Sequence, residues 1–360
     1  MPPRKVILPI GKEQFRTVIN RILGNDASLT NLKLKKVDLG DGGFSELASA
    51  LRSNSTLRSL KLSSVLSGSD DVAAGLSSLV EVAAAPPGEY AEGDGDGDAG
   101  LTNIAFPENS LGDLGTARVS EALCSPGATS IRHLNLNRNG IGPTGAESLA
   151  EMLRSQSWLN TLVLRNNQMN DGGVASILRA LSNGENRSVK DLRLGSNVAG
   201  TESAKAAGLA IGTNGSLLAL DLARSSIKDD GASSIAAGLQ SDTCRLQSLD
   251  LRWCGIYTDG IVSLAQSLKV NSTLISLSLD DNNIKERGID EIEEYLLNNE
   301  SLIEFLHNGC RVGVKGSQRI KRSVWGSRNA KVKRVEYGKD WDKMKPMTWS
   351  RIAAQQNRFV

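Results

Sequence analysis

The sequence predicts an α/β solenoid: a horseshoe of stacked strand-turn-helix units, with parallel strands on the concave face and helices on the convex face. Three observations carry this. An apolar triplet returns at nearly constant spacing, a Gly-containing turn follows each copy, and apolar residues at helical period follow the turn.

The triplets begin at Leu29, Leu57, Leu101, Ile131, Leu159, Val189, Leu217, Leu246, Leu274 and Leu302, with successive spacings of 28, 44, 30, 28, 30, 28, 29, 28 and 28. Within a copy such as Leu246/Leu249/Leu251, two side chains fall on alternate strand positions and point inward, so their neighbours point outward. The ninth position of successive copies is Val37, Val65, Asn109, Asn139, Asn167, Asn197, Ser225, Cys254 and Asn282. An inward Asn there is expected to bond backbone groups that the bend leaves unpaired. Turns such as Asp171-Gly172-Gly173 and Asp259-Gly260 lead into helical patterns such as Ala146/Leu149/Ala150/Leu153 and Val174/Ile177/Leu178/Leu181. Helices are wider than strands, which bends the array.

The run Ile131-Arg132-His133-Leu134-Asn135-Leu136-Asn137-Arg138-Asn139-Gly140-Ile141 reads L-x-x-L-x-L-x-x-N-x-L, the pattern of a leucine-rich repeat. Long copies with a full helix resemble the ribonuclease-inhibitor-like class of leucine-rich repeat proteins, which includes the repeat regions of NOD-like receptors and the Ran GTPase-activating proteins. The resemblance covers roughly residues 29–306 and implies a fold. Function has to be sought in the site, because one fold hosts unrelated tasks.

Outside the repeats, Phe15, Val18, Ile19, Ile22 and Leu23 predict a capping helix within residues 1–28. Residues 29–307 form the expected solenoid, interrupted at about 83–100 by an acidic Gly/Asp loop. Asp94, Asp96 and Asp98 have the opening spacing of a calcium loop, but Ala105 stands where the closing Glu belongs, so a solvated linker is expected. Residues 308–360 change composition: fourteen Lys/Arg against three acidic residues, a net +11, leave −9 for residues 1–307. This basic tail holds Arg322, Trp325, Lys333, Arg334 and Trp341, cations interleaved with aromatics. An acidic protein surface, a polyanion or the acidic repeats themselves are its expected partners, ahead of nucleic acid.

Catalysis finds no apparatus. There are two histidines, and the nucleotide-binding, nucleophile-elbow and zinc motifs are absent from the sequence. No cofactor or metal is expected. The four cysteines form no CxxC pair and read as reduced thiols. The Asn-x-Ser/Thr triplets at Asn54, Asn186, Asn214, Asn271 and Asn299 fall just before strands and read as turn chemistry. No apolar run is long enough to span a bilayer, and Pro9 and Gly11 cut short the first one. A monomeric cytoplasmic protein is expected.

The reading is therefore a non-enzymatic scaffold that binds a protein partner through its inner wall and rim. Outward strand positions pass from basic through mixed to acidic, and the expected contacts are Arg165, Arg193, Asp221, Asp250, Arg252, Trp253 and Asp280. For Trp253, packing onto neighbouring repeats is the competing reading. The family resemblance implies one alternative function, activation of a small Ras-like GTPase of the Ran type, although the tail of this chain is basic where those activators carry an acidic one.

Overall fold

The computed structural model describes residues 6–8, 12–37, 39–65, 69–84, 101–125, 130–184, 186–298, 301–326 and 334–336. The chain divides into two compact units, residues 1–168 and 169–360. The first contains β1 (Val6–Leu8), α1 (Lys12–Leu23), β2 (Asn31–Lys35), α2 (Gly40–Arg52), β3 (Ser59–Ser63), α3 (Ser69–Ala84), β4 (Asn103–Ala105), α4 (Gly112–Leu123), β5 (His133–Asn135), α5 (Pro143–Ser155) and β6 (Thr161–Val163). The second contains α6 (Asp171–Ala180), β7 (Asp191–Arg193), α7 (Thr201–Thr213), β8 (Ala219–Asp221), α8 (Lys228–Leu239), β9 (Ser248–Asp250), α9 (Thr258–Leu268), β10 (Ser276–Ser278), α10 (Glu286–Asn298), β11 (Glu304–Leu306), α11 (Gly313–Gly326) and β12 (Arg334–Glu336).

Within each unit every strand pairs in parallel with the next one in sequence, without a register slip. Leu32, Leu60, Ile104, Leu134 and Leu162 stack in the first unit. Leu192, Leu220, Leu249, Leu277 and Phe305 stack in the second. All ten are buried, as the periodicity requires, and so are the helix residues Leu149, Leu153, Ile177 and Leu178 that close the core from the other side. Each unit is thus an α/β repeat solenoid whose strands line one face and whose helices line the other.

The polar ladder is as expected from the ninth repeat position. Asn139 donates from Nδ2 to Phe106 O (2.8 Å) while its Oδ1 accepts the Asn109 N–H (3.0 Å). Asn167 does the same for Leu136 O and the Asn139 N–H. In the second unit Cys254 and Cys310 hold the position with thiols directed at Leu222 O and Leu279 O, and burial pushes both thiols up from their ordinary pKa. All four cysteines are free. A second ladder runs before the strands: Asn54, Asn214 and Asn271 each accept an N–H three residues on, from Leu57, Leu217 and Leu274, and donate back to the preceding repeat. Asn186 and Asn214 are buried in this work, which is turn chemistry and leaves no room for a glycan.

A third device repeats over two copies. Asp113 in α4 accepts the N–H groups of Gly142 (2.6 Å) and Gly145 (2.9 Å), at the start of α5. Asp171 in α6 accepts those of Gly200 (2.7 Å), Glu202 (3.0 Å) and Ser203 (2.8 Å) at the start of α7. Asp229 in α8 accepts those of Tyr257 (2.6 Å) and Gly260 (3.1 Å) at the start of α9. The three aspartates lie 58 residues apart. Each satisfies the otherwise unpaired first donors of the next helix and sets a negative charge at its positive end. A Cβ on Gly145, Gly200 or Gly260 would stand 2.7, 2.8 and 2.7 Å from the carboxylate, whereas Ser203, at the place of Gly145 in the middle copy, turns its hydroxyl onto Asp171.

Both ends differ from the sequence expectation. The capping helix α1 buries Phe15, Val18, Ile19 and Ile22, but a strand, β1, precedes it and pairs with β2, so the end is a whole strand-helix unit. At the other end the repeat runs past residue 307. Cys310 takes the ladder position, α11 packs on α10, and β12 pairs with β11. Arg319 ties the two helices together, bonding Asp290 (2.6 Å), Glu286 and Glu293. The sequence change at 308 is one of charge, and charge does not stop a solenoid whose core residues, such as Val312 and Ile320, stay in phase. The acidic loop beyond Ala84, with Asp94, Asp96 and Asp98, lies outside the described residues, as do Lys333 and Trp341. Among the described residues no helix is long and apolar enough to cross a membrane, and no His/Cys/Asp/Glu group could hold a metal ion.

Candidate protein-interaction face

Strand-face positions stack by register into columns. In the second unit one column runs Arg193, Asp221, Asp250, Ser278 and Leu306, and a second runs Asp191, Ala219, Ser248, Ser276 and Glu304. Two residues beyond each strand comes a third, with Arg252, Asp280 and Asn308 in successive repeats. Asp221, Asp250 and Asp280 therefore do share one face, as the periodicity predicts.

They are not open on it. Asp221, Asp250 and Asp280 are 5%, 2% and 3% exposed. A reading of them as solvated contacts needs correcting, and the hydrogen bonds give part of the reason. Asp221 and Asp250 accept the N–H two residues on, from Ala223 (2.9 Å) and Arg252 (3.2 Å), as Asn135 does from Asn137 (3.0 Å) in the first unit. A short carboxylate or amide at this position closes the strand exit as an Asx turn. Asp280 accepts the Asn308 N–H (2.6 Å) and Nδ2 (3.1 Å) of the next repeat, the role Asn137 has for the Arg165 N–H (2.8 Å).

Two guanidiniums partner these acids side-on. Arg252 grips Asp250 through Nε–Oδ1 (2.9 Å) and Nη2–Oδ2 (2.8 Å), and Arg193 grips Asp191 through the same atoms at 3.0 and 2.6 Å. Burial alone would lower the pKa of both arginines, but the paired carboxylates outweigh it and hold them above the ordinary value. Asp280 goes the other way. Its burial, with Asp250 adding to it, pushes it up to about 6 against the pull of the Asn308 donors and Arg252. Arg193 and Arg252 remain half-buried, and Arg165, in the first unit, is half-buried at its own strand exit.

The open part of the site is the rim. The eighth position of each repeat turns the chain through left-handed φ: Ser196 (60°), Arg224 (58°), Trp253 (55°) and Asp281 (56°). Non-glycine residues there carry a backbone cost, sustained by the N–H bonds that Arg224, Trp253 and Asp281 give to the next repeat at 2.7, 2.9 and 2.7 Å. The turn directs Trp253 outward, 52% exposed, with the Arg224 guanidinium 5.9 Å above its ring centre. Tyr257, also 52% exposed, stands across a cleft lined by Lys228, Asp229 and Asp230. Sequence reasoning singled out Trp253 but missed Arg224 and Tyr257. Arg224 was legible, since it holds the position of Trp253 one repeat earlier.

Of the expected tail contacts, Arg322 is exposed on α11, Trp325 belongs to the same helix and Arg334 to β12. His307 takes the inward position of a repeat leucine. It stacks on Phe305 with ring centres 5.4 Å apart, leaves both nitrogens unbonded, and is pushed down to about 4 by burial, with Lys321 adding to it.

Comparison with known proteins agrees with this architecture. The Leucine Rich repeat family model matches residues 127–150, 155–178, 213–236 and 244–265. The chain is 27% identical to mouse (Mus musculus) ribonuclease inhibitor over 270 residues, 75% of this chain and 56% of that protein. It is 28% identical to human (Homo sapiens) NACHT, LRR and PYD domains-containing protein 5 over 272 residues, 75% of this chain and 21% of that protein. The chain thus spans about half or less of these relatives. In fold it is similar to a chain in the crystal structure of the Rad7 and Elc1 complex in yeast, with a TM-score of 0.52 at 12% identity, covering 98% of this chain and 82% of that one. The GTPase-activating alternative gains no support from these relatives. Their shared element is the leucine-rich repeat, and in sequence and fold the chain is similar to leucine-rich repeat proteins of the ribonuclease-inhibitor-like class.

Proposed function

We propose that the protein is a non-enzymatic interaction scaffold that captures a partner protein at the rim of its second unit, centred on Trp253. The observation that supports this is a pair of large aromatics, Trp253 and Tyr257, each 52% exposed on turns fixed by backbone hydrogen bonds and flanked by Arg224. Such residues lose little conformational freedom on binding and dominate interface energies. Arg193 and Arg252 extend the surface onto the strand face. Arg322 on α11 belongs to the basic segment, which is a second contact for an acidic surface.

The test is affinity capture with the wild-type chain and with Trp253→Ala/Tyr257→Ala, identified by mass spectrometry. A true partner is retained by the wild type and weakened at least tenfold by the double substitution, with far-UV circular dichroism unchanged. A set of captured proteins that is the same for both chains rejects the rim as the site.

A further inference from the structure

The strand face of the first unit carries charge that its architecture does not require. By register, the outward column through Lys33 and Lys61 continues with Ala105, Asn135 and Val163, so the fold accepts small, polar or branched residues at this place. Lys33 nevertheless stands directly opposite Lys61 on the neighbouring strand, with Lys35 two residues along β2 and Lys36 on the turn that follows. Like charges set opposite each other on neighbouring strands are destabilising.

The surrounding strands do nothing to neutralise them. β2 to β6 contain no Asp or Glu, and among the described residues none of the four lysines takes part in an ion pair. The second unit treats its charged strand residues differently, since Arg193 and Arg252 each grip the aspartate two residues before them. The rim carboxylate of the first unit, Glu108, is taken by Arg138 and Ser64. Lys33 and Lys61 are half-buried and Lys35 and Lys36 exposed, a state in which lysine stems cover surface while the ammonium groups stay in water.

We propose that this face binds a carboxylate-rich extended segment of a partner protein, whose alternate Asp or Glu side chains pair with Lys33, Lys35 and Lys61. The spacing fits. Alternate side chains of an extended chain point the same way and recur at about 6.7 Å, the backbone separation of Lys33 and Lys35 along β2, and Lys61 lies one strand spacing, about 4.8 Å, to the side. Asn31 and Ser59, paired in register at the strand entrance and half-buried, offer hydrogen bonds to the segment's backbone. Nucleic acid fits less well, because its backbone is a long track of phosphates and a typical binder meets about 6–10 of them. Here the lysines stop at β3, and β4 presents Asn103 and Ala105. Nor does any outward residue of β2 to β6 supply a Phe, Tyr or Trp on which a base could stack.

The probe is a fluorescein-labelled peptide of ten residues, Glu and Ser in alternation, titrated with the full chain and followed by fluorescence anisotropy. Lys33→Glu/Lys35→Glu/Lys61→Glu weakens binding at least tenfold, whereas Arg16→Glu/Arg52→Glu/Arg154→Glu, the same change of charge placed on α1, α2 and α5, weakens it less than threefold. Equal loss in both variants, or loss in neither, overturns the proposal, since the attraction then comes from net charge or from the basic segment beyond residue 308. Lys33→Gln/Lys61→Gln guards against a reversed variant that fails to fold. It relieves the repulsion, so it should melt no lower than the parent and bind the peptide at least fivefold more weakly; unchanged affinity overturns the proposal. An oligothymidylate of ten nucleotides that binds more tightly than the peptide, and is lost in the same variants, assigns the face to nucleic acid and also overturns it. Trp253 and Tyr257 take no part, so this test and capture at the rim fail independently.

Discussion

Replacing Asp280 with Asn separates two opposed buried titrations. Asp280 titrates near 6 in the folded protein, against 3.8 unperturbed. Between those values the folded state keeps a proton that the unfolded chain has lost. Its contribution is therefore fully favourable below 3.8 and is lost as pH rises through 6, a loss of about 3 kcal/mol by pH 8. His307 runs the opposite way, with a pKa near 4 against 6.5. The unfolded chain accepts a proton that the buried ring refuses, so stability is intact above 6.5 and falls by about 3 kcal/mol as pH drops through 4. In the parent chain the two slopes nearly cancel across this window. Asn keeps an oxygen acceptor for the Asn308 N–H, 2.6 Å from Oδ1 in the parent, and removes the ionisable group. Asp280→Asn should match the parent at pH 4, exceed it by up to about 3 kcal/mol at pH 8, and gain stability steadily between. Urea denaturation followed by circular dichroism at pH 4, 5, 6 and 8 measures all three. A variant less stable than the parent at pH 8, or one whose stability is flat from pH 4 to 6, refutes the assignment of burial as the dominant influence on Asp280.

Asn139→Ala removes a donor and an acceptor from the buried ladder and should cost about 3 kcal/mol, against about 1 kcal/mol for Cys254→Ala, whose thiol makes only weak bonds; chemical denaturation compares them. Gly208→Ala puts a methyl 2.1 Å from Ser234 O, where α7 and α8 pack backbone to backbone, and should lower stability by about 3 kcal/mol or more in a thermal melt. Asp171→Ala leaves three N–H donors of α7 without their acceptor and should cost about 2 kcal/mol at pH 7. Since its donors hold that carboxyl below its ordinary pKa, the deficit relative to wild type should shrink as pH falls below about 4, checked by denaturation at pH 3.5 and 7.

Register was legible in the sequence because it is set by a short repeating pattern. The inward positions of Leu134, Leu164 and Leu251, the first asparagine ladder and the columns through Asp221 and Asp250 all follow from periods of two and about 28 residues. Alternation says which way a side chain points but not what lies above it, so Asp221, Asp250 and Asp280 were placed on the right face and given the wrong solvent exposure. The boundary at 307 followed a change in charge, which is a surface property, whereas Val312 and Ile320 keep the core in phase beyond it. Trp253 was found by residue type. Tyr257 was not, because its exposure depends on the Asp229 carboxylate that holds its N–H at 2.6 Å from the repeat before, a contact only coordinates reveal.

The carboxylate caps at Asp113, Asp171 and Asp229 have a consequence for how such a chain lengthens or shrinks. Because the capping carboxylate comes from every second helix, a single copy added or removed leaves a helix start without its acceptor or a carboxylate without its donors. Excising residues 171–228 instead joins Asn170 to Asp229 and restores every match. The heritable unit of this architecture is a couplet, and its permitted lengths change in even steps.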